Sequence, residues 1–554
     1  MTKALRQHWT KAENTSTKKK ISFLTPGRIL FLLVLGALAI RAVAALTRPM
    51  IQLDETAYVR MAENLAGGHG LLDISGSTST HFSPLPSFFI AGLAVLARNY
   101  ILAAYIIVTV FGSLILIPTY LLGRELSGQR VGLLAAALMA VTPLFVDYSS
   151  RIYSESLYIF FLGMALVLGL RMIRGGGLLN GTLTGVSLGF AYLSDPEAVY
   201  YVVVFAGLAI MVGLVRHSWS QLGKSLLLFV LLFLTIAAPY IIFLHSQLGK
   251  WTYSGKISQG NFYAATHNLR FNTLDWEKDQ LQISSNGHIR LYDLQNQGDP
   301  LTIFFRYPVL SAKIFARQTY KFYSQVLGNI IPLWLLPLLG LGLFAGAWTR
   351  RRAAGVGYLL LMMAPALLIL AMYAHDRFFM PFVPLIMIWV AEGWKRIEEW
   401  GRKTIALNFG QRSQPFLQRW APWIIGVIVL LPLLLFSAVT VVKQSYPVGY
   451  KDAGEYIKQT TGGGKRILSR EYSAAYYSGG TAYLLPYDSY DKTTAYARYQ
   501  HIDYLVISKE ELADWRPTLA RLLQSPSQHP EWKLVDRVRP GTSQETLIFQ
   551  LQPA

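Results

Sequence analysis

The chain has no cysteine among its 554 residues, which excludes disulfides, thiolate catalysis and cysteine-ligated metals. Charge is scarce as well. Asp, Glu, Lys and Arg make up 15% against 53% hydrophobic residues, too little to clothe a soluble surface of this size. Acid is scarcer than base, with 31 Asp and Glu against 51 Lys and Arg, and the net charge is +20. Such a balance serves nucleic-acid binding only as a basic face on a folded domain. Here the bases punctuate long apolar runs instead, so no nucleic-acid partner is expected. No internal repeat of the kind that builds many transporters is visible. No small-residue cleavage pattern follows residue 46, so the basic start and first apolar run read as an anchor and not as a removed signal.

A bilayer crossing needs roughly 20 apolar residues. Runs approaching that length lie near 29–46, 101–122, 128–146, 157–173, 178–193, 198–215, 225–244, 326–348, 353–373, 378–394 and 423–442. The expected fold is therefore mainly α, a polytopic membrane bundle of about eleven transmembrane helices. Every second connection is basic: Lys3, Arg6, Lys11, Lys18, Lys19, Lys20 and Arg28 first, then Arg124 and Arg130, Arg171 and Arg174, Arg216 and Lys224. Arg350, Arg351 and Arg352 follow, and then Lys395, Arg396, Arg402, Lys403, Arg412 and Arg419. Because cytoplasmic loops carry the positive excess, residues 1–28 are expected as a cytoplasmic basic tail. Residues 29–442 then form the domain within the cytoplasmic (inner) membrane, and 443–554 lie outside.

Three outer segments exceed simple connectors. In 47–100, "LDETAYVRMAENLAGGHG" puts Ala57, Met61 and Leu65 on one helical stripe, with Tyr58 and Ala62 beside it and Gly67 and Gly68 as a stop. A second run, 85–97, begins at "SPLP" and is too short to span, so both read as interfacial helices. Residues 245–325 read as a long ordered loop with a short helix near 308–323. The tail reads as a small α/β domain. It has a helix at "DAGEYIKQTTG" stopped by Gly462, strands at "KRILSR", "DYLVIS" and "ETLIFQLQ", and a helix at "KEELADWRPTLARLLQ".

Acidic residues at a membrane edge are costly, so their positions carry information. Asp54 and Glu55, then Asp147, Arg151 and Glu155, then Asp195 and Glu197, then His375, Asp376 and Arg377 all fall on the outer side. Together they suit a charged, hydrophilic substrate. Each also has a local reading. Asp54 can cap the following helix, and Glu55 in its first turn favours the helix dipole. Arg151 and Glu155 are spaced as an i,i+4 pair, Asp195 before Pro196 starts a turn, and Asp376 and Arg377 can pair locally. Arg41, inside the first run, is expected to snorkel to its outer end.

With "LDETAYVRMAENLAGGHGL", "SPLPSFFIAG", "GRELSGQRVGLLAAALMAVTPLFVDYSSRIYSESLYIFFL", "DRFFMPFVPLIMIWVAEGW" and "DAGEYIKQTTGGGKRILSREYSAAYYSGG", the chain resembles a known family. It is similar to the polyprenyl-phosphate-dependent glycosyltransferases of the GT-C fold, above all the protein O-mannosyltransferase and aminoarabinose (lipid A) transferase group. The resemblance implies inverting transfer of one sugar from a polyprenyl-phosphate donor to a lipid, glycan or protein acceptor at the periplasmic or extracellular face. It implies Asp54 as general base, with Glu55 beside it for acceptor or structural support. Glu155, the metal candidate, would bind donor phosphate through a divalent cation or hold an arginine. Arg377 would pair with donor phosphate, and Arg151, Glu197 and Tyr58 would complete the donor or acceptor contacts. Two positions depart from the family. The aminoarabinose transferases have a Lys before the paired prolines where this chain reads "HFSPLP", so either His81 stands in or the phosphate is held elsewhere. Many relatives also have an Arg where this chain has Asp195. The competing class is a transporter or flippase of lipid-linked sugar, against which the one-sided clustering of ionisable residues argues. An oligosaccharyltransferase of the same fold would be expected to carry a Trp-Trp-Asp motif, which is absent.

Overall fold

The computed structural model describes residues 25–175, 177–216, 219–256, 281–285, 287–289, 308–372, 374–408, 414–524 and 526–553. Most of the expected basic tail and much of the expected 245–325 loop lie outside these residues.

Helix α1 (Pro26–Leu46) opens on Thr25, whose hydroxyl accepts from the Arg28 N–H at 3.4 Å, with Pro26 at the first helical position. Helices α2 (Leu53–Ala66) and α3 (Pro84–Ala97) are the two short helices expected in the first loop. The α2 stripe buries Ala57, Tyr58, Met61 and Ala62, and the helix ends at Gly67. Arg41 of α1 does not snorkel. It is fully buried and donates to the carbonyls of Met139 (3.3 Å) and Ala140 (3.0 Å) at the end of α4 (Gln129–Ala140), and to Ser149 Oγ (2.7 Å). The carbonyl end of a helix is a favourable seat for a guanidinium, which is why burial wins over exposure here.

Helix α5 (Glu155–Ile173) leads into α6 (Gly177–Ser194), which packs between α5 and α7 (Trp219–Leu248). Gly181, Gly185 and Gly189 form the contact ridge. A Cβ at Gly181 or Gly185 would strike the backbone carbonyls of Ser225 and Phe229, and one at Gly189 would strike Ile236. Small residues let helix backbones approach closely inside a membrane.

Helix occurs at all eleven expected places, but fewer qualify as crossings by length and hydropathy. Among the described residues seven do: Pro26–Leu46, Tyr100–Ser127, Glu155–Ile173, Pro196–Val215, Ser220–Leu248, Asp376–Leu407 and Trp420–Val442. Pro308–Ile330 and Leu333–Phe344, bent by 83°, form an eighth if they are counted together. The other three fall short for separate reasons. Helix α4 has 12 residues, α6 is diluted by the Gly, Thr and Ser that its packing requires, and 353–373 is broken near Pro365. The pieces of that last run are Arg350–Met362 and α8 (Ala366–Met372), followed by α9 (Asp376–Phe379). The chain is thus a multi-pass membrane protein of mainly helical fold.

The C-terminal domain carries α10 (Val448–Thr461) and a five-stranded sheet: β1 (Arg466–Ser469), β2 (Thr481–Leu484), β3 (Tyr504–Ser508), β4 (Trp532–Val538) and β5 (Thr546–Leu551). The strand order is β2-β1-β3-β5-β4, with β1 parallel to β2 and β3, and β5 antiparallel to β3 and β4. Helix α10 stops at Gly462, whose φ of +77° suits glycine. It lays Tyr450, Ala453 and Ile457 on Ile467, Val506 and Ile548, while the alternate residues Leu468, Leu505 and Ile507 face a second core with Trp532 and Phe549. Strands β2 and β4 were not expected. The expected helix over 509–524 is instead a π turn, Glu511–Trp515, followed by a 3₁₀ stretch, Pro517–Leu523. Pro517 has no N–H to donate and drives Arg516 out of helical geometry, at φ −130°.

This domain is tied firmly to the membrane part. Along the edge strand β2, the Ala482 N–H donates to the Ile74 carbonyl of the first loop at 2.9 Å. The Ile51 N–H donates to the Tyr477 hydroxyl (3.1 Å), and the Tyr476 hydroxyl donates to Glu63 (2.9 Å). From the second long loop, the Leu281 carbonyl accepts from the Tyr487 N–H at 2.8 Å.

Candidate active site

A cavity of about 770 Å³ opens where α2, the start of α5, the 195–200 segment, the 253–256 segment, α8, α9 and the loop after β1 converge. Its size falls within the range of small-molecule sites.

The entry to α2 sets the geometry. Glu55 reaches back to accept from the Gln52 N–H (2.8 Å), and its other oxygen accepts from the Ile152 N–H (2.9 Å). Glu55 therefore caps its own helix and pins it to the second loop, which leaves Asp54 free of the capping role. Glu55 is 2% exposed and does not line the cavity; burial raises its carboxyl above the ordinary value, with Arg48 and the two N–H groups only partly offsetting. The residue before Asp54, Leu53, has a φ of +35°, a strained conformation for a branched side chain. Asp54 itself projects into the cavity.

There Asp54 meets Arg377. The Arg377 guanidinium donates to Asp54 Oδ2 at 2.7 Å and also to Glu155 Oε1, and it lies 4.3 Å from the centre of the Tyr153 ring. Burial pushes the Asp54 carboxyl up, but the guanidinium more than offsets this and holds it below its ordinary value of 3.8. The second oxygen of Glu155 is buried and has no hydrogen-bond partner among the described residues. The local Asp376–Arg377 side-chain pair does not form, because Asp376 accepts from Tyr148 and pairs with His375 while the guanidinium turns inward.

On another wall, Asp195 fulfils its turn role by accepting from the Glu197 N–H at 3.1 Å, and its second oxygen takes Lys256 Nζ at 2.5 Å. Burial would lower the Lys256 ammonium, but Asp195 and Glu197 together hold it above its ordinary value. Glu197 also lines the cavity. His81 lies beside them, edge-on to Phe82, and burial pulls its imidazole down to about 4, with Asp54 opposing only in part. His81 is thus neutral near pH 7, and the cavity's positive charge comes from Lys256 and Arg377. Tyr58 reaches the same space as a neutral phenol, its burial raising the hydroxyl well above the ordinary value.

Arg151 stands apart. It pairs with Asp147 at 3.0 Å, not with Glu155, and Asp147 also takes Arg48 (2.8 Å) and Gln444. Sequence reasoning missed Lys256, one of several lysines in a polar loop, and Arg470, Glu471 and Tyr472, which reach the cavity from the C-terminal domain. No motif marks either set.

Residues 81–243 match the dolichyl-phosphate-mannose-protein mannosyltransferase family. No curated protein matches the sequence. Among solved structures, the apo oligosaccharyltransferase of Archaeoglobus fulgidus aligns over 97% of this chain and 75% of its own, at 14% identity and TM-score 0.61. The same enzyme in complex with Zn and sulfate aligns over 94% and 73%, at 13% identity and TM-score 0.61. ArnT from Cupriavidus metallidurans bound to undecaprenyl phosphate aligns over 95% of this chain and 99% of its own, at 13% identity and TM-score 0.55. The metal candidate Glu155 pairs with Arg377, which also takes Asp54, and no group of three or more His, Cys, Asp or Glu among the described residues is placed to hold a metal. Identities this low speak of architecture, and the architecture is unambiguous: the chain has the fold of the GT-C glycosyltransferases.

Proposed function

We propose that this chain is an inverting glycosyltransferase that moves a single sugar from a polyprenyl-phosphate donor to a lipid, glycan or protein acceptor, with Asp54 as general base. The observation that carries the reading is one guanidinium, Arg377, shared by Asp54 and Glu155 inside a cavity with an apolar rim of Leu248, Leu368, Ile369 and Phe378. A prenyl phosphate departs without a general acid, so a single base suffices for in-line displacement, unlike hydrolysis by paired carboxyls. The acceptor O–H gives its proton to Asp54 while its oxygen bonds to the anomeric carbon. The bond from that carbon to the phosphate oxygen breaks, and its electron pair stays on the phosphate. Arg377 faces the charge developing there, with Lys256 as the cavity's second cation. Glu155 holds Arg377 in place, so the reading needs no resident metal. Tyr58 and neutral His81 offer hydrogen bonds to the substrates, and Glu197 offers a carboxyl group to sugar hydroxyls. Glu55 and Arg151 act at a distance, the first by fixing α2 and the second by fixing Asp147.

The apolar rim suits a polyprenyl tail, whose exposure to water would cost about 0.8 kcal/mol per CH₂. Likeness to a fold seen with undecaprenyl phosphate supports the same donor class. The alternation of basic connections supports placing the cavity and the C-terminal domain on the periplasmic or extracellular side of the cytoplasmic membrane.

The test is purified protein in liposomes with a labelled polyprenyl-phosphate sugar on one side. Transfer with inversion at the anomeric carbon supports the assignment; passage of uncleaved substrate without transfer would make the protein a flippase. Orientation is tested separately by replacing Arg351 with cysteine in this cysteine-free chain. Its labelling by an impermeant reagent from outside would reverse the topology.

A further inference from the structure

The two sides of the cavity differ in chemistry. One side is the apolar rim just described, on helices whose neighbouring surfaces are exposed and apolar, as at Leu367 and Leu368. Another part of the lining is richer in polar groups. It is built from the 73–80 turn, with the hydroxyls of Ser75, Ser77 and Ser79, and from Arg470, Glu471 and Tyr472. These last three directly follow the carboxyl end of β1, and Leu484, at the carboxyl end of the parallel neighbour β2, lines the same cavity. Ligands of open α/β sheets bind outside the carboxyl ends of parallel strands. The wall is held in register with Asp54, because the first loop and the domain share the Ile74–Ala482 hydrogen bond. Arg470 lies over the Trp515 ring at 4.8 Å, which fixes the plane of its guanidinium.

Two features select among acceptor chemistries. An extended peptide would add itself to a free sheet edge, but the β2 edge facing the cavity side is already taken by the Ile74 carbonyl. A bare lipid would find Ile74 and Leu484 interrupted by serines, a guanidinium and a carboxylate. A ring bearing several hydroxyls, by contrast, meets hydroxyl, carboxylate and guanidinium partners and an aromatic face at Tyr472.

We infer that the C-terminal domain supplies the acceptor half of the site, and that the acceptor is polyhydroxylated, a glycan or the glycan headgroup of a lipid, seated between residues 73–80 and Arg470–Tyr472. This inference rests on the transferase reading above. The donor enters from the bilayer side and the acceptor from the aqueous side, and they meet at Asp54.

Photo-crosslinking in native host cells tests it, with p-benzoylphenylalanine in place of Ser77. The expected adduct is destroyed by periodate, which cleaves vicinal diols, and survives protease treatment of the captured moiety. Extraction into organic solvent separates a glycolipid adduct from a lipid-free glycan. Adding Arg470→Ala and Tyr472→Ala should lower the adduct yield about tenfold, the loss expected from one or two charged or polar contacts. The same variant, purified, should bind undecaprenyl phosphate within about twofold of the parent, which also reports on folding. An adduct removed only by protease or only by phospholipase, no adduct at all, or a yield unchanged by the two substitutions overturns the inference. Failure of the parent protein to bind undecaprenyl phosphate instead strikes the donor assignment and leaves the crosslinking result to stand by itself.

Discussion

At the end of the bundle away from the C-terminal domain, three carboxylates, one buried and two half-buried, have two arginines each. Glu125 takes Arg171 (2.6 Å) and Arg174 (3.9 Å), Glu392 takes Arg396 (2.9 Å) and Arg352 (3.7 Å), and Glu398 takes Arg130 and Arg402 (3.8 Å). In the cavity the ratio is inverted. Arg377 serves both Asp54 and Glu155, and Lys256 sits on Asp195 with Glu197 on the same wall. The first arrangement is saturated, so that loss of one arginine leaves another in place. The second is short of positive charge, and burying such a deficit opposes folding. Ionisable groups held in that condition at a membrane edge are of the kind that functional sites carry.

The contrast can be broken most sharply at Asp54. Asp54→Asn keeps the shape of the side chain but cannot take a proton, and turnover should fall about 10²–10⁴-fold while thermal stability in detergent stays near the parent's. A near-normal rate would remove Asp54 as base.

Arg377→Gln should weaken undecaprenyl-phosphate binding, and Arg377→Lys should restore it only in part, because an ammonium cannot replace the planar fork. The pH dependence gives a second readout. The Asp54 carboxyl is depressed below 3.8, so the stabilisation from its pair with Arg377 is complete above 3.8 and is lost as pH falls through the lower folded value. The acid limb of kcat/KM in the parent should accordingly lie below pH 3.8 and move upward in Arg377→Gln, where burial acts with less opposition. An unmoved limb would separate Arg377 from Asp54.

Glu55→Ala should act on stability more than on chemistry. It strands the Gln52 and Ile152 N–H groups, at a cost of about 1–3 kcal/mol for a buried unsatisfied donor, seen as a lowered Tm. If turnover collapsed with Tm unchanged, Glu55 would belong to the chemistry. The smallest effect belongs to the saturated end. Arg171→Ala should change stability by about 1 kcal/mol or less, since Glu125 keeps Arg174. A larger loss would mean that the second arginine is no reserve.

Much of this was legible in the sequence because it follows from periodicity and sign of charge. Helix occurs at each expected apolar run, and Asp54, Glu155, Glu197 and Arg377, singled out by charge and side, all line one cavity. What stayed hidden depends on packing. Helix α6 reads as a span until its glycines are seen to serve contact with α7. Arg41 reads as a snorkelling residue because nothing local reveals the carbonyls of Met139 and Ala140 about a hundred positions away. Among the described residues the ammonium of Lys256 pairs with Asp195, 61 positions away, so its approach to the cavity is a tertiary fact. Strand β2 has four residues, too few for an alternating pattern to declare itself.

The hydrogen bond between Ile74 and Ala482 bears on how the protein can be recombined. The first loop behaves as a sixth, borrowed margin of the sheet: without it β2 presents open N–H and C=O groups, the condition that drives strands to pair with other chains. A chimera that exchanges the C-terminal domain alone would join an unmatched loop to an uncovered edge, whereas one that carries residues 73–82 along with the new domain would keep the seam closed. Loop and domain are therefore a single transplantable module, although more than three hundred residues, the membrane helices among them, separate them in the chain.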